Sequence, residues 1–257
     1  DTIDNSTVSL KATPSAAEGG NVTYTATVTA PVTGSPVVVT LANGEKITIP
    51  VGETTGSVSI SAPNDVLVGH TPLTNSITNV SGGNYENLVA DKTPVSTTVT
   101  DTVDTTSVSL TATGTVAEGG QITYTATLTN AAGTPVTVTL SNGSVIHIEA
   151  GKTTGTVTVA APADDVYIDA GKVNATITNA TGGNFEKLVT DTTPAVTNVT
   201  DTLDTTSVGI SGSASVTEGQ TASYTVSLTH PAQTEVTLKI SYSGTATDGS
   251  DFSGVYT

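Results

Sequence analysis

The chain repeats itself at an interval of one hundred residues, and that period restricts it to an array of like domains in series. Asp1 opens DTIDNSTVSL, Asp101 opens DTVDTTSVSL and Asp201 opens DTLDTTSVGI. Within each unit the same landmarks return. AEGG at 17–20 recurs at 117–120, and TEGQ stands at 217–220. TYTATVT at 23–29 recurs as TYTATLT at 123–129, and ITNVSGGNYENLV at 77–89 as ITNATGGNFEKLV at 177–189. A one-residue slip enters between Thr29 and Pro36 and is regained near Pro162, so both length changes fall in loops. The expected domains are 1–102, 103–203 and an incomplete third repeat at 204–257.

Each unit reads as antiparallel strands. Thr and Val favour pleated, half-buried surfaces, while Gly, Asn and Pro mark turns. In unit two, alternation predicts strands at 107–111, 121–129, 135–140, 145–149, 153–160, 173–179 and 195–200. Ile122, Tyr124, Ala126 and Leu128 alternate with polar residues, which gives one apolar and one wet face. Seven short strands in about 100 residues fit an immunoglobulin-like sandwich. The fold expected is therefore all-β: tandem immunoglobulin-like β-sandwich domains arranged end to end, with no helix longer than two turns. Tyr24 and Tyr124 belong to the core, as packing. Unit three offers four strands, whose open edge and uncovered face need more chain to complete them.

Composition excludes several roles. A formal charge of −16 repels nucleic acid. Without cysteine there is no disulfide and no thiolate metal site. No apolar run reaches the 18–20 or so residues that span a bilayer, so no membrane insertion is expected in this stretch. No signal peptide precedes Asp1, which puts any export signal elsewhere. The histidines at 70, 147 and 230 occupy unrelated positions, and no nucleophile elbow or phosphate-cradling glycine loop occurs. An enzyme is not expected. Threonine patches such as TYTAT suggest an ice-binding surface, but a twisted sheet breaks the required lattice match.

The acids are placed more tellingly. In a seven-stranded sandwich the loops after the first, third and fifth strands share one pole with the linker to the next domain. Glu18, Asp65, Asp101 and Asp104 are thereby expected at one spot in unit one. Glu118, Asp164, Asp165, Asp201 and Asp204 form the equivalent set in unit two, where Asp169 and Asn174 could contribute. So many carboxylates at one pole call for a counterion. With oxygen donors only, and no Cys or His expected nearby, Ca²⁺ fits better than zinc or copper. The D-x-D-x-D-G pattern of an EF-hand is absent.

The linker DTVDTTSVSL at 101–110, AEGG at 117–120 and PADDVYIDAG at 162–171 resemble the extender repeats of giant bacterial RTX adhesins, which type I systems secrete. The resemblance covers units one and two. It implies sandwiches stacked end to end with calcium at the linkers, holding an adhesive module away from the cell in adhesion and biofilm formation. It marks Asp101, Asp104, Glu118, Asp164 and Asp165 as ligand positions; unit one departs by carrying Asn64 where unit two has Asp164. The third unit resembles a Calx-β repeat through VTEG at 216–219 and GTATDGSDF at 244–252, which offers Glu218 and Asp251. A secreted, monomeric surface protein is implied, whose partners are neighbouring repeats of the same chain. The alternative is a repeat that itself binds a glycan or protein receptor. Its only loop aromatics at matching positions, Tyr85 and Phe185, are expected instead to pack their loop onto the linker.

Overall fold

The computed structural model describes residues 3–247 and 249–253, and every regular element among them is a β-strand. Repeat one contains β1 (Asn5–Ala12), β2 (Ser15–Ala17), β3 (Asn21–Val28), β4 (Val37–Leu41), β5 (Lys46–Ile49), β6 (Thr55–Ser61), β7 (Leu73–Asn75), β8 (Ile77–Ser81), β9 (Asn87–Ala90) and β10 (Val95–Thr100). Repeat two contains β11 (Thr105–Ala112), β12 (Thr115–Ala117), β13 (Gln121–Leu128), β14 (Val136–Leu140), β15 (Val145–Ile148), β16 (Thr154–Ala160), β17 (Gly171–Ala175), β18 (Ile177–Gly182), β19 (Lys187–Thr190) and β20 (Ala195–Thr200). The third repeat contributes β21 (Val208–Gly212) and β22 (Tyr224–Leu228).

The two complete repeats share one topology. In repeat one a four-stranded sheet, β6-β3-β1-β9, faces a layer built from β5-β4-β8 and β2-β10-β7. Repeat two repeats this as β16-β13-β11-β19 against β15-β14-β18 and β12-β20-β17. Even the register is preserved, with Leu10 opposite Ala26 and Leu110 opposite Ala126. These are the tandem β-sandwich domains that the alternation predicts.

Ten strands per repeat stand where seven were expected, for three reasons. The first strand breaks after Ala12, at a proline in repeat one that has no amide to give a ladder. Its second half then changes sheets and pairs in parallel with the last strand. The sixth strand breaks at Ser76 and Thr176, next to a register shift in its neighbour. Finally, NLVA and KLVT form short strands running parallel to the first. A parallel pairing between distant segments leaves no hairpin signal in the sequence.

Each core is lean and almost wholly aliphatic. Val22, Tyr24, Ala26 and Val28 alternate inward along β3, and Ile122, Tyr124, Ala126 and Leu128 along β13. Outward threonines pair across strands, as Thr123 Oγ1 does with Thr158 Oγ1 at 3.1 Å. The loop aromatics pack differently from expectation. Phe185 is buried in the core of repeat two, and Tyr85 packs against the core of repeat one, where its hydroxyl donates to Ala30 O at 2.8 Å. Their rings close their own sandwiches, while the next residue of the loop in repeat two, Glu186, meets the linker at the Asp104 amide.

The chain divides into two compact units. The first takes in both complete repeats up to residue 200, apart from 163–170. The second consists of 163–170 with 201 onward. In the second unit, β21 and β22 pair in the same register as β11 and β13, with Gly212 opposite Tyr224. Of the four strands expected there, two form among the described residues. No described residue from 202 to 253 is buried, and Tyr224 is 64% exposed where Tyr124 is 0%. Among the described residues of that unit no strand corresponds to β16, β18 or β20, and Leu238–Ser241 line a cavity with Val208, Ile210 and Val226 without burying them.

Candidate metal centre at the first repeat junction

Glu18 owes its position to the AEGG turn. β2 runs parallel to β10, and just past its end the Glu18 amide donates to Thr100 O at 3.0 Å. Gly19 has a φ of 63°, a conformation that suits glycine, and its amide donates to Pro63 O at 3.2 Å. That bond ties the turn to the loop between β6 and β7. Glu18 is thereby pressed under the linker and only 6% exposed.

A buried carboxylate must be satisfied by donors or charge. Oε1 of Glu18 accepts from the Asp65 amide at 3.2 Å and meets Nε2 of His70. Oε2 accepts from the Thr102 amide at 2.9 Å and the Thr102 hydroxyl at 3.3 Å. The Thr102 amide first, and His70 next, hold the Glu18 carboxyl down at about 2. The same contact with Glu18 raises His70 above its ordinary value, against desolvation.

Two overlapping groups of ligating side chains meet here. Glu18, Asp65 and His70 each offer an atom within 4.8 Å of the others, as do Glu18, Asp101 and Glu186. Asp65 and Asp101 also brace the loop itself, accepting from the Leu67 amide at 2.7 Å and the Gly69 amide at 2.8 Å. Glu186 comes from repeat two. Its Oε2 accepts from the Asp104 amide at 2.6 Å, while Oε1 is shielded from water with no donor directed at it. The Asp104 amide works to lower the Glu186 carboxyl, but desolvation and the neighbouring Glu18 outweigh it and raise it.

Three of the four acids expected in unit one are therefore brought together. Asp104 takes part through its amide, and its carboxylate belongs to neither group. The expectation of a centre without histidine is corrected by His70, which the loop after β6 carries directly onto Glu18. Glu186 was missed because it lies more than eighty residues beyond the linker, in a loop of the next domain. Its one signal was recurrence: Glu86 accepts from the Asp4 amide at 2.6 Å as Glu186 does from Asp104.

The remaining candidates sit as follows. Glu118 is 8% exposed, and its amide donates to Thr200 O at 3.0 Å, as its counterpart's does in repeat one. In the second unit Asp164 accepts from the Thr202 hydroxyl, Asp165 from the Tyr167 amide at 2.8 Å and Asp201 from the Asp169 amide at 3.2 Å. Asp204 and Glu218 are exposed. Asp251 accepts from the Thr247 amide at 2.8 Å within a turn. Among the described residues, Asp164, Asp165, Asp204, Glu218 and Asp251 enter no group of three or more ligating side chains.

No helix of the described residues is long and apolar enough to cross a membrane. No curated protein matches the chain. Among solved structures, the human OSCAR ligand-binding domain is similar over 66% of this chain and 88% of that one, at 11% identity and a TM-score of 0.24, too low to carry an argument. The LapA domain model matches residues 4–102, 104–202 and 204–250. LapA is a large bacterial adhesin, and membership points to an adhesin-related role at the cell surface. With three tandem matches over nearly its whole length, the chain belongs to the LapA domain family.

Proposed function

We propose that this chain is a structural extender of a bacterial surface adhesin, in which calcium held at the repeat junction stiffens the array and a distal module does the adhering. The reading gives the repeats themselves no catalytic task. The observation that carries it is the placing of buried Glu18 within coordinating distance of Asp101 from the linker and Glu186 from the next repeat.

The residues present suit the ion. Ca²⁺ takes about 6–8 oxygen ligands from carboxylates and carbonyls. Glu18, Asp65, Asp101 and Glu186 would hold it, and its charge would cancel their repulsion. Because the acids come from a loop, the linker and the following domain, fixing them together fixes the angle between repeats. Occupancy would add about 2.7 kcal/mol of stability at a hundred times the dissociation constant. Extracellular millimolar calcium would fill sites of modest affinity that the cytosol leaves empty, so the array would be flexible inside and stiff outside. His70 favours a second reading, in which Glu18, Asp65 and His70 take a borderline ion such as zinc.

Small-angle scattering and melting of residues 1–257, in calcium and in EDTA, test the proposal beside an Asp101→Asn, Glu186→Gln double variant. Wild type is expected to lengthen and melt higher with calcium, and the variant to lose most of both responses. Scattering and melting that ignore calcium would refute the extender mechanism; a response to zinc alone would establish the second reading.

A further inference from the structure

The loop between β6 and β7 does more than carry acids. Its tip, Val66–Val68, lies against Asn184–Glu186 of repeat two. The Val68 amide donates to Asn184 O at 2.9 Å, and the Glu186 amide donates to Val66 O at 3.1 Å. Leu67 and Phe185 form the β-bridge between these two bonds. Asn184 Nδ2 adds a third, donating to Val68 O at 3.0 Å.

Side chains follow the backbone. Val66 and Leu67 belong by sequence to repeat one, yet both pack against the core of repeat two. Leu67 lies over Gly133, where an added Cβ would come within 3.1 Å of its Cδ1. Repeat one supplies an internal comparison, because among the described residues no such loop lies over its own equivalent surface. Gly83 and Tyr85 are half-buried and Glu86 is exposed, whereas Gly183 and Phe185 are buried and Glu186 is half-buried.

The pattern recurs in the second unit. There the loop 163–170, between β16 and β17 of repeat two, is grouped with the third repeat. Tyr167, at the position of Leu67, donates from its hydroxyl to Pro231 O at 2.8 Å. Pro231 lies in the same connection of repeat three that holds Gly133 in repeat two.

We infer that each repeat lends this loop tip to its successor as a docking strand, and that the clasp couples the first two repeats without any metal ion. Residue 67 is the plug, and the surface formed by Gly133 and Asn184–Glu186 is the socket. The bonds involved are between backbone amides, an asparagine and apolar groups, none of which needs a cation to form. The inference is independent of calcium binding: the clasp keeps the two repeats in contact without the ion, and the ion of the proposed function would set the angle about that contact.

Hydrogen exchange of the 257-residue chain in EDTA tests it, read at the Val68 and Glu186 amides. Wild type is expected to protect both. Leu67→Asp, which places a charge in the socket, should abolish that protection while Ala26 and Ala126 in the two cores stay protected. Asn184→Gly removes only the side-chain bond to Val68 O at a residue whose φ of 53° suits glycine, and should lower protection at Val68. Amides unprotected in wild type without metal, or unmoved by Leu67→Asp, would overturn the clasp. If calcium alone confers protection, the clasp as a metal-free device fails while the extender reading stands. If scattering ignores calcium but the amides are protected, the outcome is reversed.

Discussion

Tyr124→Phe should stabilise repeat two, because the hydroxyl it removes is buried without a hydrogen-bond partner. The ring itself is 0% exposed and sits among Ile122, Val138 and Ile148 in the core. Burial pushes its phenol above the ordinary tyrosine value. Leaving a hydroxyl unsatisfied in such a place costs about 1–3 kcal/mol, whereas phenylalanine keeps the ring's volume and its contacts. At the low end of that range, a gain of about 1 kcal/mol is expected. For a domain of about 100 residues that is an upward shift of about 4–8 °C. The assay is calorimetric melting of repeat two within the whole chain, in EDTA so that metal occupancy does not intrude. Two controls bracket the result. Tyr124→Ala should cost about 3–5 kcal/mol through the cavity it leaves, and Tyr224→Phe should change nothing, its ring being 64% exposed. A loss of stability in Tyr124→Phe would show that the hydroxyl is bound and refute the reasoning.

Three further outcomes are expected. Without metal, stability should be greatest between about pH 4.5 and 6.5: Glu18, held down at about 2, contributes above its ordinary 4.5 and loses this as pH falls, while His70, raised above 6.5, contributes below 6.5 and loses this as pH climbs through its raised value. Melting from pH 4 to 9 checks it; His70→Ala should flatten the alkaline limb, and a wild type already flat there would count against the pair. Gly155→Ala should destabilise repeat two by about 1–3 kcal/mol, because the added Cβ would collide with the His147 carbonyl, measured by urea unfolding. Limited proteolysis should cut beyond residue 204 before any site in the complete repeats, since no described residue from 202 to 253 is buried; first cuts inside 105–160 would contradict this.

The acid cluster was partly legible and partly not. Glu18, Asp65 and Asp101 could be put together from loop order alone, since a sandwich sends alternate loops to the same pole. His70 could not, because its ring reaches Glu18 only through the path of an irregular loop that carries no periodicity. Glu186 was harder still. Its approach requires the next domain to dock in one orientation, in which Val66–Val68 meets Asn184–Glu186.

By itself the sequence determined the period, the all-β class and the inward alternation of β3 and β13, because strand pattern and turn chemistry act over a few residues and repeat wherever the letters repeat. Tertiary structure decided the rest. It split the first strand between two sheets, ran KLVT parallel to β11 and left the Asp104 carboxylate out of both ligating groups while using its amide. The clearest case is a single tyrosine in near-identical surroundings: Tyr124 is wholly buried and Tyr224 mostly exposed. Their strands have the same register, so the difference lies in how closely the rest of the domain packs on the ring, and burial is a property of that packing and not of the strand.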